Sequence, residues 1–312
     1  MVLAAPVRRG CSHCRASSST YQKTSSARNL SMSSVLDMTT IRPTGETHFV
    51  SNPVNKQAKV QTRRFAASEG MAFGLPAGQL AQSSNMHDWW DSVKIAEIEA
   101  FKAQCSDLTL RLLSCFAEHM DLPRTFFETS HKQDAGLLPG NALKFMKYPT
   151  LSEKPENALE RLSAHTDWGT LTLLFTESPG LEIRGPNNEW HDVPVVPGGI
   201  VVNIGDLLEF WSGGLLKSTM HRISWEKVPI EQDRYSMPYF AQPSFDTDLR
   251  PLTGTLKSDL EAESLTYEEY YHTRIRLTWG NVLDDEEKPA KMNRRLAKYL
   301  DLRKNTAGEH VK

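Results

Sequence analysis

His165-Thr-Asp167 sets an imidazole and a carboxylate two residues apart, so on a strand or at its end both project to one side. Taken alone, the tripeptide reads more simply as a solvated strand face or a local hydrogen-bonded pair. His221, 56 residues downstream at the start of another candidate strand, adds a third metal-capable side chain. Two imidazoles and one carboxylate on one face of a metal leave adjacent positions open. Non-haem Fe(II) sites use that arrangement to admit a chelating cosubstrate and O₂. A structural zinc would need a fourth ligand, and none stands nearby in the sequence. Arg234-Tyr-Ser236 is a second pair spaced by two. Its guanidinium can fork onto a carboxylate through two parallel hydrogen bonds, and the serine hydroxyl can add a third. Its other reading is a surface strand with ordinary polar alternation.

The elements that must position these groups lie between Ala142 and Ala241, where short apolar runs alternate with turns. Leu171–Phe175, Leu181–Ile183, Gly199–Ile204, Met220–Trp225 and Tyr235–Ala241 are the expected strands. Ser178-Pro-Gly180, Gly185-Pro-Asn-Asn188 and Pro197-Gly-Gly199 are the turns between them. Many short strands at near-regular spacing point to a sandwich or a barrel, not to a parallel sheet. Upstream, Ile95, Ile98, Phe101, Cys105, Leu108, Leu112, Cys115 and Phe116 draw one stripe on a helix from Val93 to Met120. Both cysteines of that stripe are expected as small core residues. Near the other end, Thr266-x-x-Glu269 is a capping box, with Leu265 and Tyr270 as its hydrophobic staple. It predicts a helix from Tyr267 to about Arg276, and Lys291–Lys304 reads as a last solvated helix.

Bulk properties bound the rest. A net charge of −2 and a pI near 6.6 give no general pull toward nucleic acid or acidic membranes. No run of ~18 apolar residues is present, so no transmembrane helix is expected. Four cysteines, two of them in a polar tail with Cys11 and Cys14, make no disulfide framework and suit a reducing compartment. The first 36 residues contain no acid but hold Arg8, Arg9, Arg15, Lys23 and Arg28 among many serines. A solvated extension of a cytoplasmic protein is the expectation, with a mitochondrial transit segment as the alternative. Residues 1–85 show little periodicity and are expected to be poorly structured or divergent, apart from a short strand at Thr47–Val50. Residues 86–312 are expected to form one domain, with its core at about 142–241 and its terminal helices at about 267–304.

One ordered string ties these pieces together. It runs Lys144-Phe-Met-Lys-Tyr148-Pro, His165-Thr-Asp167-Trp-Gly169-Thr170 and Pro179-Gly180-Leu181-Glu182. It continues through Trp190 with Val193, Asn203-Ile-Gly205-Asp206, Lys217-Ser-Thr-Met-His221-Arg222 and Arg234-x-Ser236. In these motifs the chain resembles the isopenicillin N synthase-like branch of Fe(II)/2-oxoglutarate dioxygenases. The resemblance implies a mainly β fold with flanking helices, a double-stranded β-helix (jelly-roll) barrel. It implies His165, Asp167 and His221 as iron ligands, and Arg234, Ser236 and Tyr148 as the residues that hold 2-oxoglutarate. Phe240 matches an aromatic position that packs on substrate; Met146 and Trp168 are the other pocket candidates. Met146 stands where plant members usually carry an asparagine, and a thioether cannot donate that hydrogen bond. The family's N-terminal module, with its Gly-Phe-Phe and Asn-His-Gly segments, has no counterpart in residues 1–85.

The activity implied couples oxidation of a small organic molecule, with hydroxylation as the default, to conversion of 2-oxoglutarate and O₂ into succinate and CO₂. Two rivals stay open: an oxidase on the same scaffold that uses no 2-oxoglutarate, and a non-catalytic binding protein derived from such an enzyme. A small-molecule substrate, a monomer, and no nucleic-acid or membrane partner complete the expectation.

Overall fold

The structure, a computed structural model, describes residues 68–74, 90–131, 141–154, 160–228, 230–250, 252, 264–279 and 293–306. Its strands are β1 (Glu69–Phe73), β2 (Ala142–Tyr148), β3 (Glu160–His165), β4 (Leu171–Phe175) and β5 (Leu181–Arg184). They continue as β6 (Trp190–Asp192), β7 (Val201–Ile204), β8 (His221–Ser224) and β9 (Arg234–Phe240). The helices are α1 (Ser92–His119), α2 (Phe126–Ser130), α3 (Asp206–Trp211), α4 (Tyr267–Trp279) and α5 (Arg294–Thr306).

All described strand pairings are antiparallel, and they form two sheets. One has five strands in the order β1-β2-β9-β4-β7, the other four in the order β3-β8-β5-β6. Among the described residues neither closes on itself or pairs with the other, so the expected jelly-roll barrel is corrected to two open sheets with flanking helices. The physical reason is that alternation and turn spacing report each strand's faces but not which edges meet. Closure is decided by edge hydrogen bonds, and here β1, β7, β3 and β6 remain edges.

The two faces of the five-stranded sheet differ in kind. On β2, Leu143 and Phe145 are buried with Tyr239 of β9 in the apolar core. The alternate residues Lys144, Met146 and Tyr148 line a cavity between the sheets. Helix α1 belongs to that apolar core, burying Ile98, Cys105, Leu113 and Ala117, with Ile95, Phe101, Leu108, Leu112 and Phe116 half-buried beside them. Cys105 is a core residue as expected, but Cys115 is exposed, because its position falls off the buried line by more than a third of a turn. Asp91 starts the helix by accepting from the Lys94 amide at 2.9 Å.

Strand β1 lies within the segment expected to lack structure. It pairs with β2 from Glu69↔Lys147 to Phe73↔Leu143, and Phe73 meets Trp90 and Phe145 edge-on at 5.0 and 5.2 Å. Five residues with two glycine-or-alanine positions carry too weak an alternation to announce a strand; the partner edge supplies what the segment lacks. The segments Thr47–Val50 and 1–36 lie outside the described residues. At the C-terminal side the capping box forms as expected. The Glu269 carboxylate accepts from the Thr266 amide at 2.8 Å, and the Glu269 amide donates to Thr266 Oγ1 at 3.3 Å. Leu265 and Tyr270 are buried at its flank. No helix among the described residues is long and apolar enough to cross a membrane.

Candidate active site

His165 ends β3 and His221 begins β8, and the two residues are direct register partners. Their rings lie 4.3 Å apart between centroids. Asp167 sits two residues beyond the strand end, and its Oδ1 is 3.9 Å from His165 Nε2 and 3.7 Å from His221 Nε2. One ligand atom from each of the three residues fits within a 4.8 Å span. Each imidazole places Nδ1 on a backbone carbonyl: Ser163 at 2.8 Å for His165, and Thr219 at 3.1 Å for His221. A carbonyl can only accept, so Nδ1 carries the proton and Nε2 turns a lone pair toward Asp167.

Asp167 is prepared in the same manner. Its Oδ2 accepts from Thr172 Oγ1 at 2.7 Å and from Asn203 Nδ2 at 2.8 Å, while Oδ1 faces the two Nε2 atoms. Thr172 and Asn203 are register partners on β4 and β7, so one rung of the sheet holds the carboxylate. Burial works against the charged form of Asp167, but both imidazoles and the two donors outweigh it and leave its pKa below the usual carboxylate range. Burial, then the neighbouring His221 ring, pushes His165 down to about 4, so its lone pair is available at neutral pH. The His165 side chain still keeps 40% exposure, against 14% for His221 and 7% for Asp167, so the approach to the triad is on its side.

The loop that carries Asp167 is fixed from below by α3. The Asp206 amide donates to the Asp167 carbonyl at 2.7 Å, and the Leu207 amide reaches the Trp168 and Gly169 carbonyls at 3.2 Å. These are the free amides of a helix start, here satisfied by the metal loop. A β-carbon on Gly205 would stand 2.2 Å from the Gly169 carbonyl oxygen, which explains the glycine at that close approach. Asp206 is the first residue of α3. Its Oδ2 accepts from Thr166 Oγ1 at 3.0 Å and from Arg274 of α4 at 2.8 Å.

The triad lies on one wall of a cavity of about 200 Å³ between the sheets. The opposite wall is β2 and β9, where Tyr148↔Arg234 and Met146↔Ser236 are register partners. Arg234 is 2% exposed, and its Nε donates to the Pro179 carbonyl at 3.0 Å. Its Nη1 is buried without a hydrogen-bond partner, and its guanidinium carbon stands 5.2 Å from the centre of the Tyr148 ring. Tyr148 shares a side-chain hydrogen bond with Ser236. Arg161, fully buried, lies with its guanidinium carbon 5.9 Å from the centre of the Tyr148 ring. Burial lowers the pKa of Arg234, but an arginine keeps its proton, so one cation sits deep in this end of the cavity.

The structure therefore gathers His165, Asp167, His221, Arg234, Ser236, Tyr148, Met146 and Phe240 around one cavity. Trp168 is not among the lining residues. It packs instead with Arg274, whose guanidinium lies 5.4 Å from its ring centre, because residue 168 points away from a loop that aims residue 167 inward. Sequence reasoning passed over Thr172, Asn203 and Lys144 as site residues. The available signal was a polar side chain inside an apolar run, Asn203 in Val-Val-Asn-Ile and Thr172 in Leu-Thr-Leu-Leu-Phe.

Comparison with known proteins agrees with this geometry. The profile of the 2OG-Fe(II) oxygenase superfamily matches residues 140–243, the span from β2 through β9. A 2-oxoglutarate-dependent dioxygenase of Gibberella zeae is 30% identical over 236 residues, 69% of this chain and 68% of that protein. The chain belongs to the 2OG-Fe(II) oxygenase superfamily. A proline hydroxylase of Petromyces alliaceus is 34% identical over 59% of this chain and 60% of its own length. The chain thus spans about three fifths of the length of that curated relative. A full-length Neurospora crassa protein, solved in complex with alpha-KG and thymine, superposes with a TM-score of 0.58 at 26% identity. That match covers 70% of this chain and 67% of the Neurospora chain. The cofactors of the superfamily are Fe(II) and 2-oxoglutarate, and the residues present fit both. Three lone pairs converge for the metal, and a buried guanidinium with a spare donor stands ready for a carboxylate.

Proposed function

We propose that this chain is an Fe(II)- and 2-oxoglutarate-dependent oxygenase that hydroxylates a small organic molecule and releases succinate and CO₂. One observation carries the reading: Arg234 Nη1 is buried and unpartnered in the wall facing the triad. A buried guanidinium with an unmet donor is costly unless an anion arrives to meet it. Bound iron supplies the activation of O₂. His165, Asp167 and His221 would hold it through Nε2, Oδ1 and Nε2, leaving open positions toward the cavity. Arg234 and Ser236 would hold the distal carboxylate of 2-oxoglutarate, with Tyr148 against its chain. Leu162, Leu174, Leu181, Ile183, Val201 and Ile223 make the remaining wall apolar and keep bulk water from the reacting atoms.

A small substrate is supported by the cavity's size, about 200 Å³. The relatives agree, since one is named for proline and another holds thymine. The test is an anaerobic titration of the Fe(II)-loaded protein with 2-oxoglutarate, followed by the weak visible band that keto-acid chelation produces. Succinate release on admitting O₂ with a substrate panel completes it. Iron binding without the band, or turnover without succinate, would overturn the 2-oxoglutarate role and favour the oxidase.

A further inference from the structure

The cavity contains a second cation that the cosubstrate reading leaves unused. Lys144 is two strand positions from Met146 and four from Tyr148, so all three side chains face the cavity. Its Nζ stands 5.2 Å from the centre of the Phe240 ring. Among the described residues it has no hydrogen bond and no ion pair. Lys147, three residues on and turned the other way, is met by Asp233 at 3.0 Å. Burial lowers the pKa of Lys144, with the charge of Asp167 partly restoring it. Phe240 is the register partner of Thr172, which holds the Asp167 carboxylate, so the ammonium lies toward the metal end. Arg234 lies opposite Tyr148, ~13 Å away along the strand by backbone rise.

Resting on the oxygenase reading, we propose that Lys144 anchors a carboxylate of the substrate, so that the molecule oxidised is a small carboxylic acid. The two cations then divide the work. Arg234 holds the cosubstrate's far carboxylate at one end, and Lys144 holds the substrate's at the other, with the triad on the facing wall. A half-buried ammonium meets an anion more favourably than a neutral group of the same shape, because only the anion repays its lost hydration. Phe240, already against the ammonium, offers its ring face to the apolar part of the acid. A point charge on a flexible stem also suits a substrate that must be placed without the fixed fork that Arg234 provides.

The probes are the proteinogenic amino acids, benzoate and phenylacetate, each beside its primary amide. Each is titrated by calorimetry into the protein loaded with Fe(II) and 2-oxoglutarate without O₂. At least one acid should bind about ten- to a hundredfold more tightly than its amide, the loss expected for one charged hydrogen bond. Lys144→Met should abolish that preference while leaving 2-oxoglutarate affinity unchanged, and Lys144→Arg should retain most of it. No acid preferred over its amide, or a preference that survives in Lys144→Met, would overturn the proposal. Weakened 2-oxoglutarate binding in Lys144→Met would assign the lysine to the cosubstrate instead. Failure of the oxygenase reading shows separately, as wild-type protein that binds iron but no 2-oxoglutarate.

Discussion

The two ends of the cavity are prepared in opposite ways. In the triad every side-chain nitrogen and oxygen not meant for the ion is already engaged. Both histidine Nδ1 atoms donate to carbonyls and Asp167 Oδ2 takes two donors, so only Nε2, Oδ1 and Nε2 remain. At the arginine end the protein leaves a donor short: Arg234 spends Nε on Pro179 and keeps Nη1 without a partner in a buried wall. One end is an excess of lone pairs and the other an excess of positive charge. A dianionic chelator spanning from one to the other answers both. The difference also sets what mutation should do. Damage at the metal end should remove the ion and all that depends on it, and damage at the arginine end should weaken only the anion.

The largest effect is therefore expected at the triad. His165→Ala, Asp167→Ala and His221→Ala should each leave a folded protein with Fe(II) binding all but lost, because the described residues offer no spare ligand within reach. Iron titration by calorimetry checks it; wild-type affinity in all three variants would remove the site. Next comes Arg234→Gln, which deletes a charge-assisted bidentate contact worth roughly 2–4 kcal/mol in a desolvated site. Weakening of 2-oxoglutarate by roughly thirty- to a thousandfold follows. Iron should still bind, and Arg234→Lys should rescue only in part, since a point charge does not reproduce the fork. Loss of iron together with 2-oxoglutarate in Arg234→Gln would erase the contrast between the ends.

The metal end was legible in the sequence and its support was not. The spacing of His165 and Asp167 and a third residue at His221 survive translation into geometry, because β3 and β8 pair with those histidines opposite each other. Even so, Asp167 is not on the strand. It stands in a loop whose course depends on α3 and on Gly205 meeting Gly169, contacts between segments far apart in the chain. Such pairings leave no periodic trace. Trp168 was a pocket candidate because it follows a ligand in the chain, and the loop turns it toward Arg274 instead. Arg234 was visible as a residue type, but only the structure shows a donor left over. The open sheets and β1 were hidden because edge pairing is a property of two strands, and pattern reading sees one at a time.

A smaller effect tests whether the metal end owes its readiness to Thr172 and Asn203. Thr172→Val keeps the shape of the side chain and removes the hydroxyl that donates to Asp167 Oδ2 at 2.7 Å. Loss of a partner behind a ligand typically costs about ten- to a hundredfold in metal affinity. Thr172→Ser should stay near wild type. Equal iron affinity in Thr172→Val and wild type would show that Asn203 alone orients the carboxylate.

The smallest effect on iron concerns a histidine that sharpens the comparison by failing to join it. His131 is buried at 3% exposure, and both its nitrogens are engaged: Nδ1 with the Phe127 carbonyl at 2.9 Å, Nε2 with Thr170 Oγ1 at 3.0 Å. Nothing is left over, so it should be structural where His165 and His221 are ligands. Burial pushes its pKa down to about 4, from 6.5 when unfolded. The sign follows from proton counting. Between pH 6.5 and about 4 the unfolded chain binds a proton at this residue that the folded chain refuses, so stability falls as the pH is lowered. The full difference at pH 4 is on the order of 3 kcal/mol, which should lower the melting temperature by roughly 5–10 °C in a chain this long. His131→Asn can still donate to the Phe127 carbonyl from the position of Nδ1, and it does not titrate. Its melting temperature should therefore decline less steeply than wild type from pH 6.5 to 4, and its iron affinity at pH 7.5 should be unchanged. Parallel slopes in the two proteins would show that His131 takes up its proton without unfolding. A loss of iron binding in His131→Asn would mean that a fully partnered histidine reaches the metal through Thr170 and the loop it anchors.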